Sequence, residues 1–125
     1  MIGFVMVGTN DLNKVISFYD ILLETIDLKR TITNEKYVGY SSKERPKDIE
    51  FYVTNPANKE KATFGNGTQI SFIVNSKETV DKFYNLGIKL GGKDEGAPGI
   101  RSGDYYCYIR DLDGNKICVF TKIKN

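Results

Sequence analysis

The sequence predicts an α+β domain built from two tandem βαβββ modules, and three observations lead there. Two amphipathic helical stretches each follow a short run rich in β-branched residues. These two units match without a gap at an offset of 65 residues, with Val5 on Ile70, Val7 on Phe72, Asn10 on Asn75, Val15 on Val80 and Phe18-Tyr19 on Phe83-Tyr84. Near the C-terminus, Asp111-Leu112-Asp113-Gly114-Asn115 carries the Gly and Asn that a tight antiparallel hairpin demands. At 125 residues the chain has the modal size of one domain, so both modules share a single core.

Taken in order, Ile2 to Val7 is the opening strand, too short for a buried helix. Leu12, Val15, Ile16, Tyr19, Leu22, Leu23 and Ile26 recur at helical spacing, with Thr9 or Asn10 as N-cap and Asp11 at the positive end of the dipole. Tyr37 to Tyr40 and Ile49 to Thr54 follow as strands, with the sign-alternating stretch Lys43 to Asp48 as a solvated loop around Pro46. The first module spans about residues 1–56, and a polar Gly/Asn-containing linker covers about 57–67. The second module, about 68–125, opens with strand Gln69 to Val74. Its helix runs from Ser76 to Leu86, with Asn75 and Glu78 as a capping pair and Gly87 as C-cap. Ile88 to Leu90, Tyr105 to Arg110 and Lys116 to Thr121 complete it as strands, with the Gly-rich stretch 91–101 as a flexible loop.

Composition removes whole classes of chemistry. The chain has no histidine, the usual general base near neutral pH and the commonest nitrogen ligand for zinc or iron. Ser-His-Asp and Cys-His mechanisms and the two-His-one-carboxylate iron site are therefore excluded. Two cysteines, Cys107 and Cys118, are too few for a Cys-only zinc site and predict no disulfide framework. Eighteen Lys+Arg against sixteen Asp+Glu leaves +2, which supports no nucleic-acid partner. The start MIGFVMVGTND has neither the length nor the basic flank of a signal peptide or membrane anchor, so a cytoplasmic location is expected.

Pleat parity assigns faces. A five-residue loop pairs Arg110 with Lys116, which puts Cys107, Ile109, Ile117 and Val119 on one side with Val5, Val7, Ile70, Phe72 and Val74. That side is wholly apolar and holds the helices. The other carries Phe4, Met6, Gln69, Ser71, Tyr106, Tyr108, Cys118 and Phe120, a mixture of rings and a few polar groups suited to a small-molecule cleft or to packing on a second subunit.

Val5-Met6-Val7, Asp11-Leu12 at the helix start, Phe18-Tyr19 and the terminal run Arg110-Asp111-Leu112-Asp113-Gly114-Asn115-Lys116-Ile117 together resemble the vicinal oxygen chelate superfamily. This group includes glyoxalase I, bleomycin-resistance proteins, fosfomycin-resistance enzymes and extradiol dioxygenases. Gly65 to Phe72 and Gly96 to Arg101 are similar to its small glyoxalase-like branch, and the resemblance covers essentially the whole chain. It implies mixed sheets curled around a cleft, helices on the outer face, and a homodimer. Metal-using members place His on the first strand, where Phe4 stands, and His at the start of the fifth, where Gln69 stands. A Glu in the last strand corresponds to Cys118, and the fourth ligand to Phe51 by family spacing or Val53 by the internal repeat. Glu50 is the nearby carboxylate, excluded by parity if Phe51 faces the cleft. The resemblance therefore implies a vacated metal site and no cofactor. It leaves a bleomycin-resistance-like binder of a small molecule, and as the alternative a divergent lyase or dioxygenase-type enzyme with a rebuilt metal site or metal-free acid-base groups. A protein interaction module using the open sheet face is the third reading.

The candidate ligand-contacting residues are thus Phe4, Met6, Gln69, Ser71, Tyr106, Tyr108, Cys118 and Arg101. Gln69 offers an amide that donates and accepts, or serves as a structural amide. Cys118 has no His to deprotonate it and at a pKa of roughly 8.5 is mostly thiol, which favours packing over nucleophilic attack. Tyr106 and Tyr108 offer stacking surfaces or a dimer seam. Arg101 either clamps a carboxylate or phosphate or faces solvent; its loop lacks the ending of a nucleotide-binding P-loop. Asp111, Asp113 and Asn115 belong to the hairpin and lack the twelfth-position Glu of a calcium loop.

Overall fold

The computed structural model describes residues 1–124. It contains β1 (Val5–Gly8), α1 (Leu12–Glu24), β2 (Leu28–Thr33), β3 (Tyr37–Ser42), β4 (Ile49–Thr54), β5 (Ile70–Ile73), α2 (Lys77–Lys89), β6 (Lys93–Arg101), β7 (Asp104–Arg110) and β8 (Lys116–Thr121). Two four-stranded mixed sheets form, in the orders β1-β4-β3-β2 and β5-β8-β7-β6. Each opening strand pairs parallel with the last strand of its own module, and the other pairs are antiparallel. This is the expected α+β pair of βαβββ units, with sheets that do not close. Among the described residues no helix is long and apolar enough to cross a membrane.

The 65-residue offset holds for β1 with β5 and for both ends of α1 with α2. Other details differ from the sequence reading. Asp11, not Thr9 or Asn10, caps α1 by accepting from the Lys14 N–H, and Ser76, not Asn75, caps α2 by accepting from Thr79. The region Ile88 to Leu90 is not strand: α2 runs to Lys89. Its Gly87 is buried mid-helix, where a Cβ would come within 2.8 Å of Ile109 Cδ1. Gly91, at φ +107°, provides the left-handed residue that ends the helix, and the Gly91 and Gly92 N–H groups donate to Ile88 and Gly87. The stretch 91–101 is largely strand β6, and β2 fills the place in the first module where the sequence shows no strand. Both lie at sheet edges, where exposure erases hydrophobic alternation and where Pro98 costs no ladder bond.

Gly92 is fixed by crowding rather than by backbone angle. A Cβ there would meet the carbonyl oxygens of Gly87 at 2.8 Å and Arg110 at 3.0 Å. Gly92→Ala is expected to lower stability by about 1–3 kcal/mol, measured by urea unfolding.

One contiguous core takes residues from both modules: Val15, Tyr19 and Leu22 of α1, Phe51 and Val53 of β4, Val80 and Phe83 of α2, and Ile109, Ile117 and Val119 of β7 and β8. Phe51 meets Phe72 edge-on at 5.5 Å across the module boundary. A buried polar latch reinforces that boundary. Asp111 in the β7–β8 turn accepts from the Asp113 and Asn115 N–H groups at one carboxylate oxygen, and from the Tyr19 hydroxyl and Asn115 amide at the other. The Asn115 amide also donates to the Gly8 carbonyl at 2.9 Å. The segment between β4 and β5 is tied down as well, since Asn10 and Ala62 exchange two hydrogen bonds and Phe64 lies on Gly114.

Candidate functional site

Cross-strand register gives each sheet one helix-bearing face and one mixed face. In the second module Ser71 lies beside Cys118, Tyr108 beside Cys118 and Tyr106 beside Phe120, which puts these residues on one face. Gln69, one step before β5, joins them by donating its amide to the Ser71 hydroxyl at 2.9 Å. Tyr106 stacks on Phe120 at 4.9 Å and lies parallel to Tyr108 at 6.0 Å, so the face carries a ladder of rings. In the first module Phe4 meets Tyr52 edge-on at 5.0 Å, and Tyr52 meets Tyr37 at 5.5 Å. Met6 pairs with Tyr52 on that face. The single chain leaves both faces open: Phe4 is 57% exposed, Met6 48% and Ile73 61%.

The strand β4 reads the other way round from the sequence expectation. Phe51 pairs with Val5 and Val53 with Val7, and both are fully buried against the helices, Phe51 lying 5.3 Å from the Tyr19 ring. Neither points toward the mixed face. Ile49 lies on the Tyr52 side, 2.8 Å from where a Cβ on Gly39 would stand, and Glu50 is the unpaired residue of the bulge where the β3–β4 register shifts between Tyr40–Phe51 and Ser41–Ile49. The Glu50 carboxylate is 42% exposed, with Arg45 at 3.9 Å.

Arg101 is not a free clamp. Its guanidinium donates to the carbonyls of Tyr106 and Ala97, each at 2.7 Å, and lies 5.2 Å from the centre of the Tyr108 ring. It braces the β6–β7 edge where Gly96 and Gly99 interrupt the register. Gly96 itself leaves room for the Tyr108 ring, since a Cβ would come within 2.8 Å of it. Lys116, which the sequence reading did not single out, sits with Nζ 5.0 Å from the same ring centre.

Both cysteines are free and buried. Burial pushes the Cys107 thiol up to about 12, and its Sγ faces the Val80 carbonyl on the helix side. Burial also raises Cys118, although the Ser71 hydroxyl, Lys116 and Arg101 each pull it down. Both are therefore thiols rather than thiolates at neutral pH, which weakens them as nucleophiles.

The residues do not fit the divalent metal that the resemblance implies. The first-strand position is the Phe4 ring, the fifth-strand position a neutral amide engaged with Ser71, and the last-strand position a buried protonated thiol. Divalent cations of this kind take several oxygen, nitrogen or thiolate donors, which these positions do not supply. No cluster of three or more Cys, Asp or Glu side chains with metal-binding geometry occurs among the described residues.

Comparison with known proteins adds the following. Residues 1–119 match the family profile described as Glyoxalase/Bleomycin resistance protein/Dioxygenase superfamily. The chain is similar to a glyoxalase/bleomycin resistance protein from Albidiferax ferrireducens, with 40% identity, TM-score 0.89, and 98% of this chain and 99% of that one covered. It shares its fold with a lactoylglutathione lyase from Agrobacterium tumefaciens, at 17% identity, TM-score 0.67 and coverages of 97% and 92%. The fold is shared too with a fosfomycin resistance protein from Mesorhizobium loti, at 15% identity, TM-score 0.69 and coverages of 98% and 92%. No match is found among curated protein sequences.

Proposed function

The chain belongs to the glyoxalase/bleomycin resistance protein/dioxygenase superfamily, and from that premise we propose that it binds a small molecule on the mixed faces of its sheets without using a metal. The observation that carries this reading is the side-chain set on those faces: Phe4, Met6 and Tyr52 on one, and Gln69, Ser71, Tyr106, Tyr108 and Cys118 on the other, are rings with a few neutral hydrogen-bonding groups. Such a set orients a ligand and excludes water, but it supplies no electrophile. The exposure of Phe4, Met6 and Ile73 further supports a homodimer in which a second copy covers those three side chains and leaves the Tyr106–Tyr108 part of the surface to the ligand. Reduced, buried Cys107 and Cys118 are in keeping with a cytoplasmic setting.

Elemental mass spectrometry tests the metal-free reading. The protein is stripped with chelator and then offered nickel, zinc, manganese and ferrous iron in turn. The expected result is far less than one equivalent of any ion retained and no rise in melting temperature; stoichiometric retention with a raised melting temperature overturns it.

Glu50 favours a second reading, an enzyme of the same fold. The part-exposed Glu50 carboxylate, held only loosely by Arg45 at 3.9 Å, is the acid-base group such an enzyme would use with no metal involved. Under that reading Glu50→Ala abolishes turnover while leaving ligand affinity within a few-fold; under the binding reading there is no turnover to lose.

A further inference from the structure

The mixed face of the second module carries a charge pattern that the proposed binding function does not by itself require. Lys93, Arg110 and Lys116 stand directly opposite one another across β6, β7 and β8, one cation per strand in a single row. Like charges placed opposite each other in a sheet destabilise it, so this row is an electrostatic cost built into the fold. One carboxylate answers it: Glu95 closes on Arg110 at 2.8 Å, and Arg110 also donates to the Gly114 carbonyl. Lys116 has no ion-pair partner among the described residues. It leans instead over the Tyr108 ring, where the aromatic ladder Tyr108, Tyr106 and Phe120 begins. Arg101 adds a second cation at that ring, with its hydrogen bonds already spent on backbone carbonyls. The positive field reaches the middle of the face, because Lys116 and Arg101 both act on Cys118.

Resting on the reading that this face holds a small molecule, we propose that its ligand is an aromatic carboxylate, with the acid group taken by Lys116 at the cationic row and the ring laid along Tyr108 and Tyr106. The direction is set by the fold. The row lies at the turn end of β7 and β8, and the ladder extends away from it along the same strands. A carboxylate there relieves the repulsion between Lys116 and Arg110, so binding is coupled to removal of a strain present in the free protein. A neutral ligand gains the stacking but not this relief, and an ammonium ligand adds a further like charge.

Three naphthalene probes of nearly equal shape separate these cases: 1-naphthoate, 1-naphthamide and 1-naphthylmethylammonium. The chain has no Trp, so naphthyl fluorescence anisotropy is read without an indole background. Naphthoate is expected to bind on the order of tenfold more tightly than naphthamide, which corresponds to about 1.4 kcal/mol, and the ammonium most weakly. Lys116→Gln should erase the preference for naphthoate without changing naphthamide affinity, Lys116→Arg should retain it, and Lys116→Gln should melt no lower than the parent protein because it removes a like-charge pair. Equal or tighter binding of naphthamide or the ammonium overturns the assignment of an anion and leaves the small-molecule reading standing. A preference that survives Lys116→Gln overturns the anchoring role of Lys116. Failure of all three probes to bind overturns the assignment of an aromatic carboxylate and leaves the small-molecule reading standing.

Discussion

Asp111→Ala should be among the most damaging single substitutions in this protein, lowering stability by about 3–5 kcal/mol through its unpaired buried donors and the melting temperature by roughly 10–20 °C. Asp111 is buried, and its two oxygens accept four hydrogen bonds, from the Asp113 and Asn115 N–H groups, the Asn115 amide and the Tyr19 hydroxyl. Truncation strands all four donors in a site that water does not reach freely, and each buried donor without a partner carries its own desolvation cost. Asp111→Asn does not rescue the site, because the new NH2 group would face donors at one oxygen position. Tyr19→Phe removes a single donor and should cost less, about 1–2 kcal/mol. The carboxylate's own acidity follows the same logic: burial raises its pKa, and the Tyr19 and Asn115 hydrogen bonds hold it back. Losing the Tyr19 hydroxyl therefore moves it further upward. Chemical unfolding of the three variants, followed by circular dichroism, gives the order Asp111→Ala, Asp111→Asn, Tyr19→Phe. Equal stability of Asp111→Ala and the parent would mean that the latch does not hold the modules together.

The second large effect distinguishes two neighbouring residues. Phe51→Ala should cost about 3–5 kcal/mol, because its ring is fully buried among Tyr19, Tyr40 and Phe72 and its removal leaves a cavity in the shared core. Glu50→Ala, one residue earlier, should change stability by no more than about 0.5 kcal/mol, since the side chain is part-exposed and its Arg45 contact is long. If the strand were turned over, the two values would exchange. Unfolding free energies of the pair thus test directly that Phe51, and not its neighbour, lies in the core.

That strand also shows how far the sequence could be read. Paired modules, both helices, the β7–β8 hairpin and the composition of the mixed face were legible because each rests on periodicity or turn chemistry within one segment. The orientation of β4 was legible in principle: Phe51 and Val53 are its strongest alternating apolar residues, and on a half-buried strand such residues belong inside. Family spacing points these two residues at the cleft against that signal, and the bulge at Glu50 leaves no trace in the alternation. β2 and β6 were illegible for a different reason, since edge strands gain their conformation from a neighbour's ladder and need not bury alternate residues. Lys116 as a site residue became visible only through register, because its importance lies in standing beside Arg110 and over Tyr108 rather than in any local motif.

The latch has a consequence for the order in which the molecule comes into being. Tyr19 and the acceptor of its hydroxyl are separated by 92 residues, and the opening strand's Gly8 waits still longer for the Asn115 amide. During synthesis the N-terminal half emerges before the acceptor of the Tyr19 hydroxyl and before the second module's share of the core. Contacts this distant along the chain make folding slow and leave the early half exposed to wrong partners until the last hairpin arrives. A molecule built from two similar modules has thereby become indivisible, its first half committed to a turn 92 residues further along the chain.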